Sequence, residues 1–255
     1  MLRNLTDQPL SRTAGAGSTD RREDVMMVRT RAVMLALCTL ALVACDTRPS
    51  TGVGGGVTAT VRFVNATGTS LDVALNGSVG SANGNLGYGT SSSCISVDVS
   101  SSDMSIRATG TTTALPGFTP SFAAGERYIV VAYPDANGTP QFTTLQSTGF
   151  TPASGQGGLR VFDGAAGSSV FDVYVTTPGF TLGSPNATNL SFGSSTPFFN
   201  AEAGTQQVRL TNSGSQTVVF NAGSLTITAG HNSILVIAPA APGSTVLRSF
   251  LVPAC

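Results

Sequence analysis

The stretch VRFVNATGTSLDVAL, residues 61–75, indicates the fold of this 255-residue chain. Apolar and polar residues alternate along most of it, and a tight-turn signal, Asn76-Gly77, follows directly. Alternation of period two is typical of a β-strand with one buried face, and Asn-Gly favours a hairpin turn. The side chains that we expect on the buried face are Val57, Ala59, Val61, Phe63, Leu71, Val73 and Leu75.

The same stretch returns about one hundred residues later as LRVFDGAAGSSVFDVYV, residues 159–175, and a period of that length is typical of a domain rather than a solenoid unit. Three more blocks recur in the same order: NLGYGTSS (85–92) as NLSFGSS (189–195), SIRAT (105–109) as QVRLT (207–211), and FAAGERYIVVA (122–132) as ITAGHNSILVIA (227–238). We therefore predict an all-β fold of two tandem antiparallel β-sandwich domains, immunoglobulin-like in outline, after a signal peptide.

The boundaries of the two domains follow from Gly- and Pro-rich segments between the blocks. The predicted order is an upstream extension that does not fold (1–25), a lipoprotein signal peptide (26–44), a flexible tether (45–56), the first sandwich (57–148), a linker (149–158) and the second sandwich (159–255).

Both repeats resemble a known family. The stretches that carry the resemblance are VRFVNAT and LDVAL in the first repeat, and FDVYVTTPGFTL, NLSFGSSTPFFNAEAGTQQVRLT and LTITAGHNSILVIA in the second. They are similar to the tandem bacterial envelope module known as domain of unknown function 4397, over essentially residues 57–253. The resemblance implies β-sandwich modules attached to lipoprotein or secretory signals, and it implies no enzymatic activity, cofactor or catalytic residue.

The apolar segment Ala32–Ala44 differs from the rest of the chain. It is too short for a membrane-spanning helix, which needs ~20 apolar residues, but it suits the apolar region of a secretory signal, with Arg29 and Arg31 just upstream. Its end, Leu42-Val43-Ala44-Cys45, resembles a bacterial lipobox, which implies cleavage between Ala44 and Cys45 and lipidation of the Cys45 thiol. More than one acyl chain on that residue would anchor the protein stably.

Two alternatives for this segment stay open at this point: a buried core helix with a chance cysteine, and plain secretory cleavage without lipid. The position of the segment is explained if translation starts at Met26 or Met27, so that residues 1–25 are an over-extended reading frame. We expect the protein in the bacterial cell envelope, exported and anchored to an inner or outer membrane leaflet.

Composition excludes one class of partner. The 13 basic residues are balanced by 13 acidic ones, and charged residues are only 10% of the chain. Nucleic-acid binding needs a basic surface that contacts phosphates, so we expect no nucleic-acid partner. The expected partners are the membrane, through lipidated Cys45, and an unidentified envelope protein or glycan.

Two cysteines remain after removal of the signal peptide and lipidation of Cys45, namely Cys94 and Cys255. An even pair in an exported chain favours a disulfide. The bond would join the end of the second repeat to the first.

Residues for catalysis are scarce. The single histidine, His231, lies in a turn whose counterpart in the first repeat is Glu126. The paired Asp72 and Asp172 are expected on outward faces of different domains, although a general acid and base must share one cleft. A zinc site needs several Cys or His ligands, which the chain lacks. We therefore predict no enzymatic activity, no metal and no cofactor.

Three phenylalanines, Phe118, Phe150 and Phe180, lie in Gly/Pro turns and are candidates for loop contacts with a partner. More often, however, aromatic rings in such turns cap the core where strands turn. The sequence therefore predicts a non-enzymatic envelope lipoprotein that displays two β-sandwich modules for structural, adhesive or protein-interaction roles. The alternative is a glycan- or peptidoglycan-binding module that uses the loops at the sandwich ends.

Overall fold

A computed structural model of the protein describes residues 57–100 and 103–255. The predicted extension, signal peptide, lipidation site at Cys45 and tether lie outside the described residues. Within the described ranges the chain forms sixteen β-strands and no helix, so the all-β prediction is confirmed. Accordingly, none of these residues belongs to a helix that could cross a membrane.

The first repeat contributes eight strands, which are β1 (Thr58–Asn65), β2 (Leu71–Leu75), β3 (Ser78–Val79), β4 (Thr90–Ser91), β5 (Ile95–Asp98), β6 (Met104–Ala108), β7 (Arg127–Pro134) and β8 (Pro140–Gln146). The second contributes β9 (Gln156–Asp163), β10 (Phe171–Thr176), β11 (Ala187–Leu190), β12 (Phe199–Glu202), β13 (Gly204–Asn212), β14 (Val218–Ile227), β15 (Asn232–Pro239) and β16 (Leu247–Pro253). The strand β9 thus begins inside the segment 149–158 that the sequence suggests as a linker.

Each repeat builds an outer and an inner sheet. Outer sheet 1 has the order β3-β2-β6, and inner sheet 1 has the order β4-β1-β7-β8, with β5 also paired to β1. Inner sheet 2 has the order β12-β9-β15-β16, and outer sheet 2 has the order β11-β10-β13-β14. Two sheets packed face to face around a core form a sandwich, as predicted for each repeat.

One strand pair in each repeat is parallel. The strand β1 pairs with β7 and β9 pairs with β15 in parallel, whereas every other pair of named strands is antiparallel. In both repeats the chain passes through the outer sheet between these two strands, and this long crossover allows them to run in the same direction. The sandwiches are therefore mainly, not purely, antiparallel.

Three buried clusters separate the four sheets. The first lies between outer sheet 1 and inner sheet 1 and contains Ala59, Val61, Phe63, Leu71 and Val73, as the alternation predicted. The expectation was wrong for Val57, which precedes the first strand and is 57% exposed. The third lies between the sheets of the second repeat and contains Leu159, Val161, Phe171, Val173, Val208 and Leu210. The second lies between the two inner sheets, so the repeats pack as a stack of four layers.

Candidate functional site

The interface between the repeats is built by strands that are apolar on both faces. In β7, Tyr128 and Val130 face the first core, whereas Ile129 and Val131 face the other repeat. In β15, Leu235 faces the core of the second repeat, whereas Ile234, Val236 and Ala238 face the interface. The buried apolar side chains of this interface exclude water from the contact between the repeats.

The interface has approximate two-fold symmetry. Arg62 and Arg160 occupy matching positions in β1 and β9. The Arg62 Nη1 donates a hydrogen bond of 2.6 Å to the Pro253 carbonyl at the end of β16. The Arg160 Nη1 donates one of 3.0 Å to the Gln146 carbonyl at the end of β8, the counterpart of β16. Such reciprocal contacts are typical of an isologous interface, here formed within one chain.

Burial lowers the pKa of both guanidinium groups below its ordinary value. The Nε atoms of Arg62 and Arg160 are buried without a hydrogen-bond partner. Each arginine is therefore fixed by its carbonyl contact rather than by an acidic residue. Together the two arginines position one repeat against the other.

The disulfide prediction is confirmed at one edge of this interface. Cys94, just before β5, is bonded to Cys255, just after β16, and their Cα atoms are 5.8 Å apart. The Arg62 Nη2 donates a hydrogen bond of 3.2 Å to the Cys94 Sγ. The bond joins residues 161 positions apart and covalently closes the contact between the repeats.

The symmetry-related edge is held by aromatic rings instead. Phe198 occupies the position of Cys94 in the second repeat, and its ring stacks on Phe150 with centroids 5.5 Å apart. The Arg160 Cζ lies 4.3 Å from the centroid of the same Phe198 ring, in a cation–π contact. Thus Arg160 supports the aromatic pair where Arg62 contacts the disulfide.

Two glycines allow the repeats to approach closely. Gly89 has a φ of 75°, and a Cβ there would lie 2.5 Å from the Phe250 ring of the other repeat. Its counterpart Gly193 has a φ of 72°, and a Cβ would lie 3.2 Å from the Tyr133 hydroxyl. Both positions therefore need glycine for conformation and for space.

The three loop phenylalanines have different environments. Phe118 is partly buried against the first core, with its ring centroid 6.0 Å from that of Phe63 and 5.6 Å from that of Phe142. Phe150 stacks on Phe198 at the interface between the repeats. Phe180 is 66% exposed. Its turn leaves this ring accessible to a partner.

The histidine and the paired aspartates form no shared cleft. His231 is exposed, and its Nδ1 lies 2.9 Å from the Ala229 carbonyl oxygen. Asp72 and Asp172 each bind the backbone of their own repeat: Asp72 accepts from the Asn85 N–H, and Asp172 accepts from the Asn189 and Gly214 N–H groups.

The expected outward position of Asp172 was wrong in one respect, because the residue is only 5% exposed. The Gly214 N–H, followed by that of Asn189, holds the pKa of the Asp172 carboxyl below its usual range, against the opposing effect of burial. The Asn85 N–H does the same for Asp72. Both carboxylates fasten an outer-sheet strand to its neighbouring loops.

Asp163 is a buried carboxyl that the sequence reasoning missed. It is fully buried, and burial raises its pKa, against hydrogen bonds from the Ala165 N–H and the Ser168 hydroxyl. The repeat alignment places it opposite Asn65, a neutral residue in the same location. Within residues 57–100 and 103–255, no three His, Cys, Asp or Glu side chains converge as metal ligands.

The sequence carried a signal for the interface that alternation alone does not detect. The runs YIVVAY (128–133) and ILVIA (234–238) are continuously apolar, which is typical of strands buried on both faces. A sandwich strand with one solvent-exposed face alternates instead. These runs lie in the two strands that form the centre of the interface.

Comparison with known proteins agrees with this repeated architecture. No curated protein matches the sequence. The family model described as domain of unknown function (DUF4397) matches it twice, over residues 59–174 and 157–252. Because these two matches span nearly all of the described chain, the protein belongs to the DUF4397 family and contains two copies of that domain in tandem.

Proposed function

We propose that this protein is a non-enzymatic lipoprotein of the cell envelope, which displays its two sandwiches as one interaction unit. The observation that carries the proposal is the closed interface between the repeats. A shared buried cluster and the Cys94–Cys255 bond hold the two domains together. Disulfides of this kind persist in oxidising compartments, which supports export.

The side chains of the described residues support a binding role over catalysis. Carboxylates and the histidine are engaged locally and are not gathered around a cleft, whereas an acid–base reaction needs such groups within reach of one substrate. The described surface instead offers exposed apolar side chains, notably Phe180 and Val246. Aromatic side chains such as that of Phe180 are enriched in contacts between macromolecules.

The membrane anchor can be tested by labelling cells with an alkyne fatty acid and comparing Cys45→Ala with Cys38→Ala. We expect the wild type and the Cys38 variant to carry the label and to fractionate with membranes, and the Cys45 variant to lose both properties. Mass spectrometry of the amino-terminal peptide should show Cys45 with its acyl groups. Label retained by the Cys45 variant, or an unmodified Cys45 at the amino terminus, would contradict the anchor.

Glycan binding is the second candidate, favoured by the exposed ring of Phe180 at a loop. Aromatic side chains provide the apolar platforms on which sugar rings pack. A glycan and peptidoglycan array, probed with the wild type and with Phe180→Ala, tests this role. Binding that disappears in the variant would support it, and an array without signal would contradict it.

A further inference from the structure

A cavity of about 240 Å³ lies at one end of the interface between the repeats. The buried apolar cluster of the interface ends there with Ile129, Leu145, Ile234 and Val252. Residues two positions apart along a strand lie on the same face of the sheet. The residues two positions further on line the cavity, and they are Arg127, Ser147, Asn232 and Ala254. The cavity is therefore the polar continuation of an apolar interface.

The two repeats place different side chains at equivalent positions of this cavity. In the first repeat, the Ser147 N–H donates a hydrogen bond of 2.8 Å to the Arg127 carbonyl. In the second, the Ala254 N–H donates one of 2.8 Å to the Asn232 carbonyl. Residues that are directly opposite on antiparallel strands have adjacent side chains. The first repeat thus brings a guanidinium and a hydroxyl group together, whereas the second brings no charged side chain.

Both of these groups lack a partner. Within the described residues, the Arg127 side chain forms no hydrogen bond and no ion pair, and this includes the terminal carboxylate of Cys255. Ser147 is only 3% exposed, and its Oγ has no hydrogen-bond partner. Its backbone N–H and carbonyl are both engaged, the carbonyl by the Asn232 amide. A buried hydroxyl without a partner is unfavourable, and an acceptor in the cavity would satisfy it.

Positive charge is concentrated around the cavity. The described residues include six arginines, of which Arg62, Arg127 and Arg160 lie at this end of the interface. Arg62 and Arg160 bind the carbonyls of Pro253 and Gln146, whose neighbours in sequence line the cavity. No acidic side chain lines it. Because the walls have a low dielectric constant, they focus this positive potential on a bound anion.

Two titratable neighbours are engaged elsewhere. Glu126 accepts hydrogen bonds from the Gln146 amide and the Thr148 hydroxyl, and it does not line the cavity. His231 lines the cavity and is exposed, and its Nδ1 lies 2.9 Å from the Ala229 carbonyl oxygen. Among the lining side chains, the Arg127 guanidinium is therefore the permanent charge.

The opposite wall is apolar and held in place. Phe150 and Pro152 contribute it. The Asn232 Nδ2 donates hydrogen bonds of 2.9 Å to the Phe150 carbonyl and of 3.3 Å to the Ser147 carbonyl. The Asn232 Oδ1 lies against Gly158, where a Cβ would collide with it. A wall that is fixed before binding loses less conformational entropy when a ligand enters.

We propose that this cavity binds a carboxylate that is attached to an apolar group. The Arg127 guanidinium and the Ser147 hydroxyl donate hydrogen bonds to the carboxylate oxygens, and the apolar group packs against Phe150 and Pro152. A guanidinium matches a carboxylate in planar shape, and its single positive charge balances the single negative one. The cavity is smaller than pockets for drug-sized ligands, which have about 300–1,000 Å³. It therefore suits a small acid or the last residue of a peptide.

This inference names a ligand class for the proposed interaction role and rests on that role. The test is isothermal titration calorimetry of the full-length protein, purified in detergent. The probes are N-acetyl-leucine, its uncharged primary amide, the tripeptide N-acetyl-Ala-Ala-Leu with a free carboxylate, and inorganic phosphate. We expect N-acetyl-leucine to bind at least about tenfold more tightly than its amide, because the amide cannot form charge-assisted hydrogen bonds with Arg127. This comparison needs no variant.

Substitutions assign the binding to the cavity. Arg127→Gln should weaken the binding of N-acetyl-leucine about tenfold to hundredfold, and Ser147→Ala should weaken it about threefold to tenfold. The matched control is Arg248→Gln, which removes an exposed arginine near the opposite end of β16 and should leave binding unchanged. Since the Arg127 side chain has no partner in the described chain, Arg127→Gln should keep the urea midpoint of the wild type.

Three results would each overturn the proposal: no binding of either carboxylate at about 10 mM, equal binding of acid and amide, or unchanged binding in Arg127→Gln. Phosphate that binds more tightly than N-acetyl-leucine would overturn the carboxylate assignment. Tighter binding of the tripeptide would support the end of a protein chain as the source of the carboxylate, and equal or weaker binding would support a small acid. Failure of carboxylate binding with intact fatty-acid labelling of Cys45 would contradict this inference alone, and lost labelling with intact binding would contradict the anchor alone.

Discussion

The two edges of the interface between the repeats are related by symmetry and held by different chemistry. At one edge Cys94 and Cys255 form a covalent bond, and at the other Phe198 stacks on Phe150. At both edges an arginine from the first strand of a repeat, Arg62 or Arg160, supports the contact. Each edge is thus closed by a specific contact between the repeats. It is a disulfide at one edge and a stacked aromatic pair at the other.

Removing the covalent fastening should have the largest effect. Cys94→Ser with Cys255→Ser releases a loop of 161 residues in the unfolded chain, and in the chain-entropy model this lowers the free energy of unfolding by about 4–5 kcal/mol. Urea unfolding followed by circular dichroism measures the change. Reduction of the wild type should give the same midpoint, and an unaltered midpoint in the double variant would show that the bond adds no stability.

Removing the aromatic fastening should have a smaller effect. Phe198→Ala deletes a partly buried ring and its contacts with Phe150 and Arg160, and we expect a loss of about 2–3 kcal/mol. Phe180→Ala is the matched control, because its ring is 66% exposed and its loss should cost less than about 0.5 kcal/mol. If both variants unfold alike, the ring pair does not hold the interface.

The two repeats also share a carboxylate that ties the outer sheet to its loops. In the second repeat Asp172→Asn should lose about 1–2 kcal/mol at pH 7, because the Gly214 and Asn189 N–H groups lose a charged acceptor. The folded-state pKa of Asp172 is lowered, so its stabilisation exists above the ordinary pKa and disappears as the pH falls through the folded value.

Unfolding of wild type and Asp172→Asn should therefore converge in strong acid. Asp72→Asn in the first repeat is the comparison, and it should follow the same pH dependence because its pKa is lowered by the same kind of contact, led by the Asn85 N–H. A stability difference that does not change with pH would show that geometry, and not charge, makes these residues important.

The fold within each repeat could be predicted from sequence, because the alternation of apolar and polar residues along a sandwich strand indicates which of its faces is buried. Alternation placed Val61, Phe63 and Val73 in the core, and the even pair of cysteines predicted the disulfide. The packing of one repeat on the other was not predicted. It depends on β7 and β15 being apolar on both faces, a signal that single-strand alternation ignores.

The environments of the candidate site residues were also beyond the sequence. Phe118 and Phe180 lie in the same tetrapeptide, yet one ring packs on a core and the other is exposed. Local residues determine the turn, whereas burial depends on which strands lie opposite it. Likewise, nothing next to Asp163 in the sequence indicates that it is fully buried.

Asp163 provides the smallest expected effect and the sharpest contrast between repeats. Its counterpart Asn65 is 1% exposed, and the Asn65 amide donates to the Leu86 and Thr69 carbonyls. Asp163 has no amide to donate, and burial raises its pKa. In the range between the ordinary and the raised pKa the folded chain holds a proton that the unfolded chain has released, so stability falls as the pH rises through this range.

Asp163→Asn supplies the neutral side chain that the first repeat already uses. The variant should not show this pH-dependent loss of stability. At pH values above the raised pKa of Asp163, its free energy of unfolding should exceed that of the wild type by up to about 1 kcal/mol. Weaker hydrogen bonds from the Ala165 N–H and the Ser168 hydroxyl would reduce this gain. Below the ordinary pKa of Asp163 the variant should have no advantage. Urea midpoints from pH 3 to pH 8 measure the difference. An advantage that shrinks as the pH rises would mean that the Asp163 carboxylate is stabilised inside the fold, opposite to the direction in which burial shifts its pKa.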